Sequence, residues 1–505
     1  MLFVFVVGCV SLNLTLVMKY LKNNANMNSH RDQAEAKASG GDRDRLPPIR
    51  KSNRIQQQQL SSLPKLQPAQ KTPLSPISDL QNSPIQVAHV VSLIKCGKQA
   101  SVTGFLDAAA VLRHSIHLQS VHTPSSGSKY SYKMYAIVHE QCSHHAHVLD
   151  RLGYTSLIRP SPVLLDEITD GWYKSHVEGE NCCGSAEFIK LYAYELTDHP
   201  VTVHWDLDVA ILQPMDDLFD AILHNGDTEQ GQAARSKLQI QHPERPLPNQ
   251  IDAFFTRDIT SSQPWEIRQG VQGGFLVARP NAQVLDQYKQ FIRKGNYTAG
   301  RGNDRGWDGL GYGGFQGAMA YQGVVAYYYD QLAPNTAVEL DACVWNQVVA
   351  DVIWRGPSRM EFQGQCREYP RPGVSHQDNT PENGQCYDCR VVPVEKVKSA
   401  HYTACSKPWE CHVPYPRNPR DKRQQERLNN LTNITTCGLL FKQWFDLRKD
   451  YEDLLKDKAG LDPSPRVGGY KTDMFGRYCK AGGKAGYIPM AVPPDDFDSK
   501  LLYGV

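Results

Sequence analysis

Residues 201–214 read VTVHWDLDVAILQP, and this stretch decides how the rest of the chain is read. Residues 201–205 are an apolar run with the composition of a buried strand, and 209–212 are a second. Between them stand Asp206 and Asp208, two carboxylates one residue apart. Side chains alternate across a strand, but a bend at the strand's end brings both carboxylates to one point. Like charges held together need a counter-charge, and a divalent cation is the simplest one. A metal held there can grip a diphosphate.

Outward from this stretch, strands and helices alternate. Residues 87–94 (VAHVVSLI), 135–139 (YAIVH) and 155–159 have strand composition, and 105–118 has helical spacing. A helix beginning at Ala186 (AEFIKLYAYEL) leads into the Asp206 strand. The alternation predicts an α/β fold with a mostly parallel sheet flanked by helices. In such sheets ligands sit at the carboxyl ends of the strands, where Asp206 and Asp208 fall. Downstream come 215–219 (MDDLF), a polar insert at 224–250, and the pair Gly273 and Gly274 entering a strand. Residues 300–317 are rich in glycine but lack the Lys-Ser/Thr of a P-loop. Glycine at this density permits close approach to a ligand.

The chain has 505 residues and a net charge of +2, with no arginine-rich patch interleaved with aromatics, so nucleic acid is not an expected partner. Of thirteen cysteines, Cys9 lies in the apolar N-terminus, and the remaining twelve suit an oxidising compartment. Cys386, Cys389, Cys405 and Cys411 surround His401, but the last two are spaced poorly for a zinc ribbon, so disulfides are expected there. Residues 1–18 are almost wholly apolar and read as a signal anchor or signal peptide, giving a membrane attachment through the N-terminus. Residues 19–85, dominated by Asn, Gln, Ser, Pro and basic side chains, read as a disordered stem. A catalytic domain is expected over 86–415. A C-terminal extension over 416–505 is expected to carry one packed helix near 439–456, with a Gly/Pro-rich tail from 463. Lys19, Lys22 and Arg31 follow the apolar run and favour a cytosolic orientation, whereas the cysteines favour the lumen. A lumenal domain in the Golgi or endoplasmic reticulum membrane is the expectation.

The run 189–219 resembles the glycogenin-like retaining glycosyltransferases, glycosyltransferase family 8. Lys190-Leu191, the strand 201–205, Asp206-Leu207-Asp208, the strand 209–212 and Asp216-Asp217-Leu218-Phe219 match that family's signature without a gap. The family's His-Phe-x-Gly-x-x-Lys-Pro-Trp block is similar to His401-Tyr402-Thr403-Ala404-Cys405-Ser406-Lys407-Pro408-Trp409. The resemblance spans 86–415. It implies a GT-A nucleotide-diphospho-sugar transferase fold and retaining transfer from a nucleotide sugar, a UDP-sugar first among them, to a glycan, protein or lipid. It also implies Mn²⁺ or another divalent cation on Asp206, Asp208 and His401. Lys407 would meet the donor diphosphate, Lys190 and Gly274 would line the donor, and Gln316 would be the polar group beside the sugar. There are departures from the family. Ala404 replaces a Gly, Gln272-Gly273-Gly274 replaces Asn-Ser-Gly, and Tyr312 and Phe315 stand where the family has Asp. The lost acidic residues argue against a self-glucosylating glycogenin and leave the transferred sugar open. They also motivate another reading, a catalytically silent nucleotide- or glycan-binding scaffold. A cytosolic glycogenin-like primer is the second alternative.

Overall fold

The computed structural model describes residues 83–94, 96, 99–180, 183–258, 268–299, 305–348, 364–366, 386–389, 392–403, 407–412, 436–491 and 493–504. The expected anchor, nearly all of the stem, residues 300–304, Ala404, Cys405 and the start of the C-terminal extension lie outside them. Among the described residues, no helix is long and apolar enough to cross a membrane.

The centre of the fold is a seven-stranded sheet. Its strands are β1 (Gln86–Leu93), β2 (Ser131–His139), β3 (Thr155–Arg159), β4 (Thr202–Trp205), β6 (Ala253–Arg257), β7 (Val271–Ala278) and an edge strand Ala337–Glu339. In space the order is Ala337–Glu339, β6, β7, β4, β1, β2, β3. β1 pairs in parallel with β2 and β4, β2 with β3, and the edge strand with β6. Only β7 runs against its neighbours, β4 and β6. The sheet is therefore mixed and mostly parallel, as the alternation predicted.

Both faces are covered, which is why β1 reads as a continuous apolar run. Val87 and Val91 point to one face with Leu112, Ile116 and Trp205. Ala88 and Val90 point to the other, with Phe188, Tyr288, Tyr321 and Val324. Helix Gln99–Leu118 covers the first face. Helix Ala282–Lys294 and the helical segment Gly184–Glu195 cover the second. That segment starts two residues before the expected Ala186 and is wound as a 3₁₀ helix, so side chains three apart eclipse one another. The polar insert at 224–250 contains an unexpected helix, Glu229–Ser236, begun by Thr228, whose side chain accepts from the Gly231 N–H.

The extension is more than one helix and a loose tail. Helix Thr436–Ala459 buries Leu440, Phe441, Trp444, Phe445, Tyr451 and Leu455 along one stripe. Ala108 and Val111 of helix Gln99–Leu118 share that apolar cluster. The Gly/Pro-rich tail adds helices Thr472–Phe475 and Lys500–Tyr503 and buries Tyr478, Cys479 and Leu502. Its aromatic residues are spaced without period, so no amphipathic pattern announced them.

Candidate metal and donor site

β4 ends at Trp205, and the chain passes through Asp206 and Asp208 into a short strand, β5 (Val209–Ile211). β5 pairs antiparallel with Ser399–His401, His401 facing Val209. The Tyr402 N–H also donates to the Asp208 carbonyl at 2.9 Å. This two-stranded ladder carries a histidine from far downstream to the end of β4. His401 Nε2 lies 3.5 Å from Asp208 Oδ2 and 3.8 Å from Asp206 Oδ2. One ligand atom from each of Asp206, Asp208 and His401 falls within 4.8 Å of the others.

Two lysines face the carboxylates. Lys190, on the 3₁₀ segment, donates to Asp206 Oδ1 at 2.9 Å and to the Gly273 carbonyl at 3.1 Å. The Lys407 ammonium meets Asp208 Oδ2. Burial alone would push both carboxyls up. For Asp206 the Lys190 and His401 charges outweigh it, and for Asp208 those of Lys407 and His401 do, so both stay below the usual carboxylate range. Both aspartates are therefore anionic at neutral pH. Two carboxylates and an imidazole are the donor set of an ion such as Mn²⁺. The residues fit a divalent cation.

Gly274 forms the floor. A methyl group there would lie 2.6 Å from Asp206 Oδ2 and 2.5 Å from His401 Cε1. Its carbonyl accepts from the Asp206 N–H at 3.1 Å, and its own N–H donates to Gln272 Oε1 at 2.7 Å. Gln316 reaches this floor only indirectly. Its side chain is exposed, while its carbonyl accepts from Gln322 Nε2 at 3.2 Å. Gln322 in turn packs against Gly273 and Gly317. Thus Asp206, Asp208, His401, Lys190, Lys407 and Gly274 come together, and Gln316 is joined to them only through Gln322.

The two departures from the family's aspartates are core residues. Tyr312 is buried and its hydroxyl donates to Asp330 Oδ2 at 3.0 Å. The Phe315 ring packs against Gly270, where a methyl group would lie 2.6 Å from it. A carboxylate does approach the neighbouring turn from the other side: the Gly317 N–H donates to Glu180 Oε1 at 2.6 Å. Glu180 was not expected, because nothing local ties it to residue 317. Of the cysteines expected to form disulfides around His401, Cys389 is bonded to Cys343 and Cys411 to Cys479.

No protein-family model matches the chain, and neither does any curated protein. Among solved structures the chain is similar to the WbbM bifunctional glycosyltransferase, at 10% identity over 70% of this chain and 53% of that one, with a TM-score of 0.33. It is similar to mouse xyloside xylosyltransferase 1, at 11% identity over 63% and 98%, with a TM-score of 0.31. It is also similar to the glycosyltransferase GlyE of Streptococcus pneumoniae TIGR4, at 10% identity over 73% and 63%, with a TM-score of 0.32. The chain spans about half the length of WbbM. Similarity this low decides nothing about chemistry.

Proposed function

We propose that this chain is a GT-A glycosyltransferase that moves a sugar from a nucleotide-diphosphate donor, UDP-sugars first, to a glycan, protein or lipid acceptor with retention. The observation that carries the reading is the convergence of Asp206, Asp208 and His401 within 4.8 Å at the carboxyl end of β4. When bound, a divalent ion supplies positive charge to the donor diphosphate. Lys190 and Lys407 bring two ammonium groups to the same point, where negative charge develops as the bond from C1 to the diphosphate oxygen breaks. Retention follows if the acceptor hydroxyl attacks C1 from the face the diphosphate leaves. The hydroxyl proton then passes to the departing diphosphate. Gln316, whose side chain is exposed, is the polar side chain for the sugar.

A panel of nucleotide sugars, assayed for transfer and hydrolysis with and without Mn²⁺, tests this reading. Metal-dependent release of the nucleotide diphosphate from at least one donor supports it. The burial of Tyr312 and Phe315 favours one alternative, a silent scaffold, which would bind UDP without turnover. For location we propose the secretory lumen, with residues 1–18 as the tether. The disulfides Cys96–Cys142, Cys343–Cys389 and Cys411–Cys479 support it, because a reducing cytosol disfavours such bonds.

A further inference from the structure

The peptide unit that joins Gln316 to Gly317 is held on both sides. Its carbonyl, that of Gln316, accepts from Gln322 Nε2 at 3.2 Å. Its amide, that of Gly317, donates to Glu180 Oε1 at 2.6 Å. In a trans peptide these two groups point in opposite directions, so the pair of bonds stops the plane from turning. A fixed plane fixes ψ at Gln316, and with it the direction in which that side chain leaves the turn. Gly317 is buried and left-handed, at φ +80°. Among the described residues no backbone carbonyl takes its N–H, and a buried N–H left unpaired is costly. Glu180 is therefore what satisfies it.

Both supports reach back to Lys190. The Glu180 N–H donates to the Val177 carbonyl at 3.1 Å, and the Glu180 carbonyl accepts from the Gly184 N–H at 2.9 Å. Gly184 opens the 3₁₀ segment that carries Lys190. On the other side, Gln322 Nε2 is also held by Asp258 Oδ2 at 3.2 Å. Gln322 packs against Gly273, whose carbonyl accepts from Lys190. Burial pushes the Glu180 carboxyl above its usual range and the Glu187 charge adds to this, while the Gly317 and Ala318 amides oppose it.

We infer that Glu180 is a positioning residue for sugar transfer. Its carboxylate holds the Gly317 amide and so aims Gln316 at the sugar. This inference rests on the reading of Gln316 proposed above.

The test is the rate of UDP release by the full chain with Mn²⁺ and UDP-glucose, UDP-galactose, UDP-xylose or UDP-N-acetylglucosamine, alongside UDP binding. Glu180→Ala is expected to lower kcat about tenfold or more, because a bond to a charged acceptor is lost. UDP binding should stay within about threefold of wild type, since the diphosphate end is untouched. Glu180→Gln, which keeps an oxygen for the Gly317 N–H, should recover most of the rate. Gln316→Ala should lower kcat by itself, and in the Glu180→Ala background it should cost less than about threefold more, because the two act as one unit. A Glu180→Ala rate within about threefold of wild type, or full additivity with Gln316→Ala, would overturn the inference. So would an equal loss of UDP binding and rate, or a Glu180→Gln rate as low as that of Glu180→Ala. Should Glu180→Ala fail to fold, Glu180→Asp decides, its oxygen being withdrawn by one methylene. A lowered rate with UDP binding retained supports the inference, and a wild-type rate overturns it. If Gln316→Ala keeps the wild-type rate, or the wild type releases UDP from none of the four donors, the reading of the site and the inference fall together. A wild-type rate in Glu180→Ala beside an impaired Gln316→Ala removes the inference alone.

Discussion

At residue 274 a side chain as small as a methyl group would intrude on both Asp206 and His401. Gly274→Ala is therefore expected to weaken Mn²⁺ binding by at least about tenfold, roughly 1.4 kcal/mol, while the fold persists. Calorimetric titration checks this, and wild-type affinity would mean the floor gives way freely. Lys407 makes a second case. Its ammonium touches Asp208 and follows His401 by six residues, as in the family. Removing a charge-assisted bond costs about 1.5–3 kcal/mol, so Lys407→Ala should weaken UDP about ten- to hundredfold and slow turnover. Unchanged UDP affinity would reduce Lys407 to a counter-ion for Asp208. The carboxylates were legible in the sequence because charge is rare at the end of an apolar strand. Glu180 was not, because nothing local ties it to the Gly317 N–H from which it accepts.

Between elements, the site depends on two pairings of unlike origin. β4 feeds Asp206 by local strand physics, and that much could be read directly. The ladder between β5 and Ser399–His401 joins segments nearly two hundred residues apart, and only the matched family block hinted at it. The structure supplies what holds the downstream segment in place. Trp409 lies on helix Gln99–Leu118 where Gly104 leaves room, and the Tyr402 hydroxyl donates to the Leu440 carbonyl at 2.7 Å. Cys411 is bonded to Cys479 across 68 residues, with both buried. By loop-closure entropy that bond stabilises the fold by about 4 kcal/mol. Cys479→Ser should lower stability by roughly that amount in urea unfolding; no change would mean the tail is held by packing alone. Buried histidines set the acid limit. Burial lowers His89 from 6.5 to about 3, and burial with the neighbouring His117 and Arg113 charges does the same for His114. Below pH 6.5 the unfolded chain takes up protons that the folded chain refuses. Stability is therefore complete above that pH and falls below it, by about 1.4 kcal/mol per pH unit for each histidine. Unfolding midpoints at pH 7.5 and 5 should differ accordingly, and His89→Gln, which keeps an acceptor for the Trp205 indole, should shrink the difference. Equal midpoints would contradict the burial.

For the whole molecule, the α/β class followed from the alternation of apolar runs, and the antiparallel β7 did not, because a buried strand's composition does not reveal its direction. The extension resisted reading for a related reason. Its tail contributes Tyr478 and Cys479 to a cluster shared with helix Gln99–Leu118, so it is a wall of the domain that bears His401. Location is a further property at this scale. Protease added to intact membranes should spare the region around Asp206 until detergent is present, and digestion without detergent would withdraw the lumenal proposal. The proposed activity depends on a metal-assisted carboxylate pair, Asp206 and Asp208. Its most direct test is UDP-sugar turnover by the wild type and Asp208→Asn across a Mn²⁺ titration. The wild type should turn over at least one donor only with the metal, and Asp208→Asn should lose more than about tenfold of that rate with its fold intact. Turnover independent of Mn²⁺, or an Asp208→Asn rate within about tenfold of wild type, would contradict it.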